Sequence, residues 1–356
     1  MNLDTGHPID ERIDLRLRDP ADLLTAVPYL LGFHPRDSLV LVGTRAVHGV
    51  QVEVTLRVDL PPPEAVATLV HGLAGGLAAR RCDEALVAVV GAVAPRPDDG
   101  PAHRELVDAL TEACAQVGVV VRGSAWVAEL VAGSPWRCYD ECGCAGSLPD
   151  PSCSPLAAAM VAAGRVTYGD RAELKRLVAP AAQSVRDRRS ELLDRRVDEA
   201  SRSGRPVAPS GLAALELLAR WVEDISAAPA EMDDDDVVEL CLALSDPLVR
   251  DAAFGLALGA EAAAAERLWS LLVTEAPYPE AAEPAVLLAY SALLRGDGAL
   301  AGVALERAQL SWPGHRLSAM FLAALDAGHG PDELGDWFGT GSRRALALLA
   351  RRADPR

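Results

Sequence analysis

The stretch Ala289 to Leu317, AYSALLRGDGALAGVALERAQLSWPGHRL, decides how the second half of the chain is read. Two apolar runs meet at Gly296-Asp297-Gly298, a break that predicts two helices joined as a hairpin. Counting back from Pro313, Ala308, Leu305 and Ala301 stand where a tetratricopeptide repeat sets its small, large and small packing residues before a closing proline. Small residues let paired helices approach closely and the larger one fills the gap between them. Leu322 and Ala323 carry the register into a further helix. The repeat's aromatic positions in the first helix are absent, and no period of about 34 residues extends upstream. The expectation is therefore one repeat-like hairpin at 284–327, ending an irregular helical domain.

Working outward from the hairpin, segments from 156 to 350 carry helical periodicity or alanine-rich composition, which predicts an all-α domain over 154–356. Ser201 to Pro209 (SRSGRPVAP) is punctuated by Gly and Pro and marks a subdivision near 201–209. The first part of the chain reads differently. Ile13 to Leu17 alternates like a half-buried strand, Asp19-Pro20 opens a helix through Leu31, and Pro28 predicts a kink or an end to it. Ser38 to Val42 is a strand. Gly49 to Leu60 alternates strictly, with Val50, Val52, Val54, Leu56 and Val58 predicted on one buried face and polar residues on a wet one.

Pro61-Pro62-Pro63 breaks that strand before a helix at 64–80, and Ala85 to Val93 (ALVAVVGAV) is apolar throughout, as the central strand of a doubly covered sheet would be. A helix at 103–117 and strands at 118–122 and 125–130 follow. The order predicts an α/β domain over 1–153 with a mixed, partly parallel sheet.

The 356 residues carry 51 acidic against 34 basic side chains, a formal charge of −17. A surface that negative repels nucleic acid and anionic lipid. Lys175 is the only lysine and belongs to no Gly-Lys-Ser/Thr string, so a Walker-type nucleotide site is excluded. No leader pattern or bilayer-length apolar run is present, and seven cysteines suit a reducing compartment, so a cytoplasmic location is expected.

The strings DPADLLTAVPYLLGFHPRDSLVLVG (Asp19 to Gly43), LRVDLP (Leu56 to Pro61), Trp136 to Tyr139 and GDGALAGVALERA (Gly296 to Ala308) resemble the actinobacterial proteins grouped as domain of unknown function 4192. The resemblance runs over most of the chain in the same order; Gly302 and Ser311-Trp312 depart from it. It implies a cytoplasmic actinobacterial protein and carries no activity, cofactor or catalytic residue with it.

Two local constellations carry chemistry. Cys138, Cys142, Cys144 and Cys153 fall within sixteen residues of a turn-rich loop at 138–153. Four thiolates at flexible spacing suit a structural zinc or a redox site, although paired CxxC knuckles are missing, and incidental cysteine is the plainer reading. The turn Gly32 to Asp37 gathers His34, Arg36 and Asp37 at a strand end, where α/β folds place ligands. Arg57 and Asp59 share the wet face of their strand, where they can pair with each other or contact a ligand; a cross-strand ion pair is the plainer reading. Other motifs fall away: Gly72, Gly75 and Gly76 lie inside a predicted helix, and Asp233 to Asp236 reads as a helix N-terminus. No GxSxG or HExxH string is present.

Three readings follow. The first is an interaction or regulatory protein, its α/β domain taking a small ligand and its helical domain a protein partner or a second copy. The second is an enzyme of unrecognised type with its site around His34 and Asp37. The third is a metal or thiol sensor on the cysteine loop.

Overall fold

Asp19 opens the first helix, α1 (Pro20–Leu31): its carboxylate accepts the Asp22 amide at 2.8 Å and Pro20 fills the first turn. Gly32 ends it at φ 73°. Pro28 neither ends nor breaks it; the ring lies buried in the helix, which runs on one further turn. The computed structural model describes residues 19–46, 50–91, 100–162, 166–207, 209–228, 231–326 and 329–353. The strand expected at Ile13 to Leu17 lies outside them. The chain divides into two compact units, the first ending at Arg171 and the second beginning at Ala172.

In the first unit β1 (Ser38–Ala46), β2 (Val50–Asp59), α2 (Val66–Ala79), β3 (Glu84–Val90), α3 (Arg104–Gln116), β4 (Val120–Val127), β5 (Pro135–Cys138), β6 (Ala145–Ser147) and α4 (Pro155–Ala162) follow α1. The six strands form one mixed sheet in the order β2-β1-β3-β4-β5-β6. Only β3 and β4 are parallel, with α3 as their crossover. The central strand β3 has no wet face, so both sides need cover. Helices α2 and α3 cover the side that carries Leu39, Leu41, Val87, Val89 and Trp126. The alternate residues Val40, Val42, Ala88 and Val90 are as fully buried, on the side where α1 meets β3 and β4.

Strand β2 departs from the strict alternation expected of it. The ladder shifts between Gly43 and Thr44, which pair with Val54 and Val52, leaving Glu53 as a bulge. One extra residue flips every side chain beyond it. Val54, Leu56 and Val58 therefore pack on the α2 and α3 side, whereas Val52 joins Ala26, Tyr29, Leu30, Leu156 and Met160 on the other. The last two belong to α4, which packs on α1 within the first unit. The strands expected at 118–122 and 125–130 are one continuous β4: the ladder to β3 shifts by one residue at Arg122 and then resumes, with Gly123 and Ser124 opposite Leu86 and Val87. The cysteine-rich segment is not all loop: β5 and β6 pair antiparallel within it.

The second unit is helical throughout its described residues: α5 (Arg171–Leu177, its first residue closing the first unit), α6 (Gln183–Ser203), α7 (Leu212–Ala227), α8 (Asp234–Leu244), α9 (Pro247–Ala253), a 3-10 turn Phe254–Leu258, α10 (Ala262–Glu275), α11 (Ala282–Leu294), α12 (Gly298–Ser311), α13 (Arg316–Asp326) and α14 (Pro331–Ala353). Helix α11 is its counterpart of β3. Nearly every residue from Ala282 to Leu293 is buried, and α10, α12, α14 and the 3-10 turn pack around it. Tyr290 meets the rings of Phe254 and Phe338 at 5.0 and 5.2 Å, and Phe321 lies 5.0 Å from Phe338. The turn to α12 follows from Gly296 at φ 78° and from Asp297, whose carboxylate accepts the Leu300 amide at 2.9 Å.

Helix α6 is the opposite case, polar on nearly every side. Ion pairs hold it in place: Arg188 and Arg189 both reach Asp234, Arg189 also reaches Glu275, and Arg196 reaches Asp235. No helix among the described residues is long and apolar enough to cross a membrane.

Leu305 is fully buried in the hairpin, whereas Leu310 of the same helix is 73% exposed. Urea denaturation should show Leu305→Ala losing about 2–5 kcal/mol and Leu310→Ala changing by no more than about 0.5 kcal/mol. Equal losses would mean that Leu305 is not enclosed.

Candidate functional site

The parallel strands β3 and β4 end at one edge of the sheet, and the start of β1 and the end of β2 lie beside them. Ser38 pairs with Val90 on one side and Asp59 on the other, and the Gly91 amide donates to Val127 at 3.1 Å. All five residues expected at the strand ends sit on this edge, but they do not converge on one point. The Arg57 guanidinium donates to the Ser38 hydroxyl at 2.8 Å and to Asp59, and the Ser38 hydroxyl in turn donates to the Arg36 carbonyl. Arg57 and Asp59 are therefore satisfied by each other, along one strand rather than across two.

His34 turns another way. Its amide donates to the Tyr168 carbonyl at 3.1 Å, the Tyr168 amide returns a bond to Gly32 at 2.8 Å, and the half-buried imidazole hydrogen-bonds the backbone of Leu130. Burial pulls its pKa below the ordinary value; the Leu130 bond opposes this and Arg36 adds to it.

Asp37 shares its surroundings with His103. Three non-glycine residues among those described take positive φ: Asp37 at 41°, Arg81 at 56° and His103 at 61°. Two of the three meet at Gly91, the first residue after β3. A methyl group placed on Gly91 would lie 3.8 Å from the Asp37 carboxylate, 4.0 Å from His103 Nε2 and 3.3 Å from Leu60. Glycine thus lets Leu60 close over a buried strand end, with the Asp37 carboxylate and the His103 imidazole beside it. Left-handed backbone in non-glycine residues carries strain and gathers at functional positions. Asp37 and His103 are both exposed there.

The cysteine hairpin is tied to this rim through Tyr139. The buried tyrosine donates its hydroxyl to the Ala102 carbonyl, and Arg104 lies over the ring and donates to the Tyr139 carbonyl at 3.1 Å. The residues on either side of His103 are therefore held by the residue after Cys138. The structure brings Cys138, Cys142 and Cys144 together, their sulfurs all within 4.8 Å of one another. Cys153 stands apart on the 3-10 turn Pro151–Cys153. Burial raises Cys138 to about 11, whereas the exposed Cys142 is lowered by hydrogen bonds from Cys138 and then Cys144.

The remaining motifs are structural. Asp233 and Asp236 close a capping box at the start of α8, and their neighbours pair with α6. Lys175 pairs with Glu306 at 3.3 Å. Gly72, Gly75 and Gly76 lie within α2.

The fold and the rim thus describe a mixed α/β unit with an open polar edge, followed by a helical unit. The chain belongs to the family described as Domain of unknown function (DUF4192), whose model matches residues 20–332. No curated protein and no solved structure matches it.

The signal that would have found His103 was its place in the connection that leaves the apolar strand, just after Gly100-Pro101. The sequence reading instead made it the first residue of α3.

Folded His34 holds its proton less tightly than an unfolded imidazole, whose ordinary value is 6.5. The unfolded chain therefore binds more protons as pH falls through that value, and His34 subtracts stability there. Wild type should lose more unfolding free energy than His34→Gln between about pH 7.5 and 5.5, measured by denaturant titration at each pH. Parallel curves would show an imidazole that titrates normally.

Proposed function

We propose that this protein is a binding and regulatory module. Its α/β unit takes a small polar ligand at the ends of β3 and β4, between Asp37 and His103, and its helical unit supplies a surface for a protein partner or a second copy. The observation that carries this reading is the meeting of two left-handed non-glycine residues at Gly91. Asp and His tolerate left-handed backbone better than most residues, and unlike glycine they also place an exposed carboxylate and an imidazole there. Asp37 offers acceptors and His103 its two ring nitrogens, both from exposed side chains beside the buried Gly91. A ligand with both hydroxyl or amino donors and an acceptor matches that set. The strand-end position is the one at which open α/β sheets bind ligands.

For the helical unit the support is the α11–α12 hairpin. Ala301, Leu305 and Ala308, the small, large and small set of a tetratricopeptide repeat, are all buried, and Leu310, Trp312 and Met320 stay exposed at its far end.

A thermal-shift panel of small polyols, amino acids, carboxylates and nucleosides against the full chain tests the ligand site. At about 100 times its Kd a true ligand adds about 2.7 kcal/mol, a shift of several degrees. Asp37→Gly and His103→Gly should keep the unliganded melting temperature within a few degrees, since glycine accepts both backbones, and lose the shift. If either substitution lowers the melting temperature strongly, those side chains serve the fold and the ligand reading fails.

A further inference from the structure

We infer that Cys138, Cys142 and Cys144 form a site for one thiophilic metal ion of the zinc class, independent of the strand-end ligand. Cys138 is the last residue of β5, and its amide donates to the Cys144 carbonyl at 2.8 Å, so the chain returns on itself within six residues. The turn between them closes with Gly143 donating to the Asp140 carbonyl at 3.2 Å and taking φ 58°. That geometry folds Cys142 under Cys138, their sulfurs 3.0 Å apart, and brings Cys144 to the same place. The hairpin is built to present three sulfurs on one side.

Distances and ligand type agree on the occupant. A tetrahedral zinc thiolate site, with Zn–S of about 2.3 Å, sets its sulfurs about 3.8 Å apart. The three sulfurs lie within 4.8 Å of one another, and the closest pair needs to open by less than 1 Å, which the exposed Cys142 can allow. Sulfur-only ligation selects soft and borderline cations over magnesium or calcium. The Cys144 amide donates to Cys138 Sγ at 3.0 Å and approaches Cys142 Sγ at 3.4 Å. Amide donors of this kind orient ligating thiolates and offset their charge.

A disulfide would use two of the sulfurs and leave the third without a purpose at the same spot. The other cysteines lie elsewhere: Cys82, Cys114 and Cys241 are buried in the cores, and Cys153 is exposed outside the group.

Among the described residues no fourth Cys, His, Asp or Glu ligand joins the cluster. The metal would keep one position for water or an incoming ligand, the arrangement of exchangeable rather than closed structural sites. Its reach is short but directed: Tyr139, beside Cys138, binds Ala102 and Arg104 around His103. Occupancy of the hairpin would fix the turn against which the strand-end rim is built.

The test uses the full chain, purified anaerobically with a reductant and no chelator, then titrated with Zn2+ against a chromophoric competitor and separately with Co2+. The expected result is one equivalent of Zn2+ per chain, and with Co2+ an intense thiolate charge-transfer band with the visible bands of a tetrahedral site. Cys142→Ser and Cys144→Ser should each weaken zinc at least about tenfold with unchanged far-ultraviolet circular dichroism. Cys153→Ser should leave binding unchanged. Cys138 is buried, so its own variant is not needed. The inference is overturned by substoichiometric zinc, by binding that survives both exposed-cysteine variants, or by recovery of a Cys138–Cys142 disulfide with no metal uptake.

Discussion

An apolar segment without a wet face has to be enclosed on every side, and two among the described residues come closest to that. In the first unit it is β3, whose residues from Val87 to Val90 are buried on both faces of the sheet. In the second it is α11, buried from Pro284 to Leu293 with Glu283 of its first turn paired to Arg250. Each fixes its surroundings. Covering β3 requires α2 and α3 on one side and α1 on the other, and α3 is also the crossover that makes β4 parallel to it. Covering α11 requires α10, α12, α14 and the aromatic rings of Phe254 and Phe338. Burial of apolar surface at about 25 cal/mol per Å² favours both arrangements.

Enclosure also decides where chemistry can stand. A strand buried on both faces cannot display polar side chains along its length, so they collect at its ends. Gly91 marks one such end, and the chain reaches it by bending at Asp37 and His103 through backbone conformations that most residues avoid. Tyr139 fastens that edge to the cysteine hairpin, because its hydroxyl needs a partner once its ring is buried. The helical unit solves a similar problem differently. Arg307 lies buried among apolar residues of α12, donating to Ser311 at 3.0 Å and to the Val273 carbonyl at 3.2 Å, with Tyr278 between it and Arg186. Burial lowers its pKa, and the hydroxyl, carbonyl and ring partners share the charge.

Most of the framework was legible because it rests on periodicity. The apolar run of β3, the Asp19 cap, the hairpin turn at Gly296 and the small, large and small set in α12 all announce their environment in residue type alone. What escaped depended on pairing. The bulge at Glu53 leaves no mark on the alternation of β2, yet it sends Val52 to the opposite face from Val54. The gap expected at 123–124 is closed because β3 pairs with Gly123 and Ser124 after a one-residue shift at Arg122. The β5–β6 hairpin is too short and too rich in Gly, Pro and Cys to carry a strand signal. His34, Arg36, Asp37, Arg57 and Asp59 stand at one edge of the sheet, and the Arg57–Asp59 pair was open to a reading of the sequence; that Asp37 shares its place with His103 shows only in the fold. Arg307 was readable in principle, three residues after buried Ala304 and four before buried Ser311.

Native-state hydrogen exchange, resolved by residue, tests this account most directly. Enclosed segments open only with the whole unit, while binding edges are drawn from the less stable part of a fold. The slowest amides of the first unit should lie in β3 and its partners β1 and β4, those of the second in α11, and the amides around Asp37 and His103 should exchange orders of magnitude faster. Early exchange of β3 or α11, or protection at Asp37 and His103 equal to theirs, would contradict it.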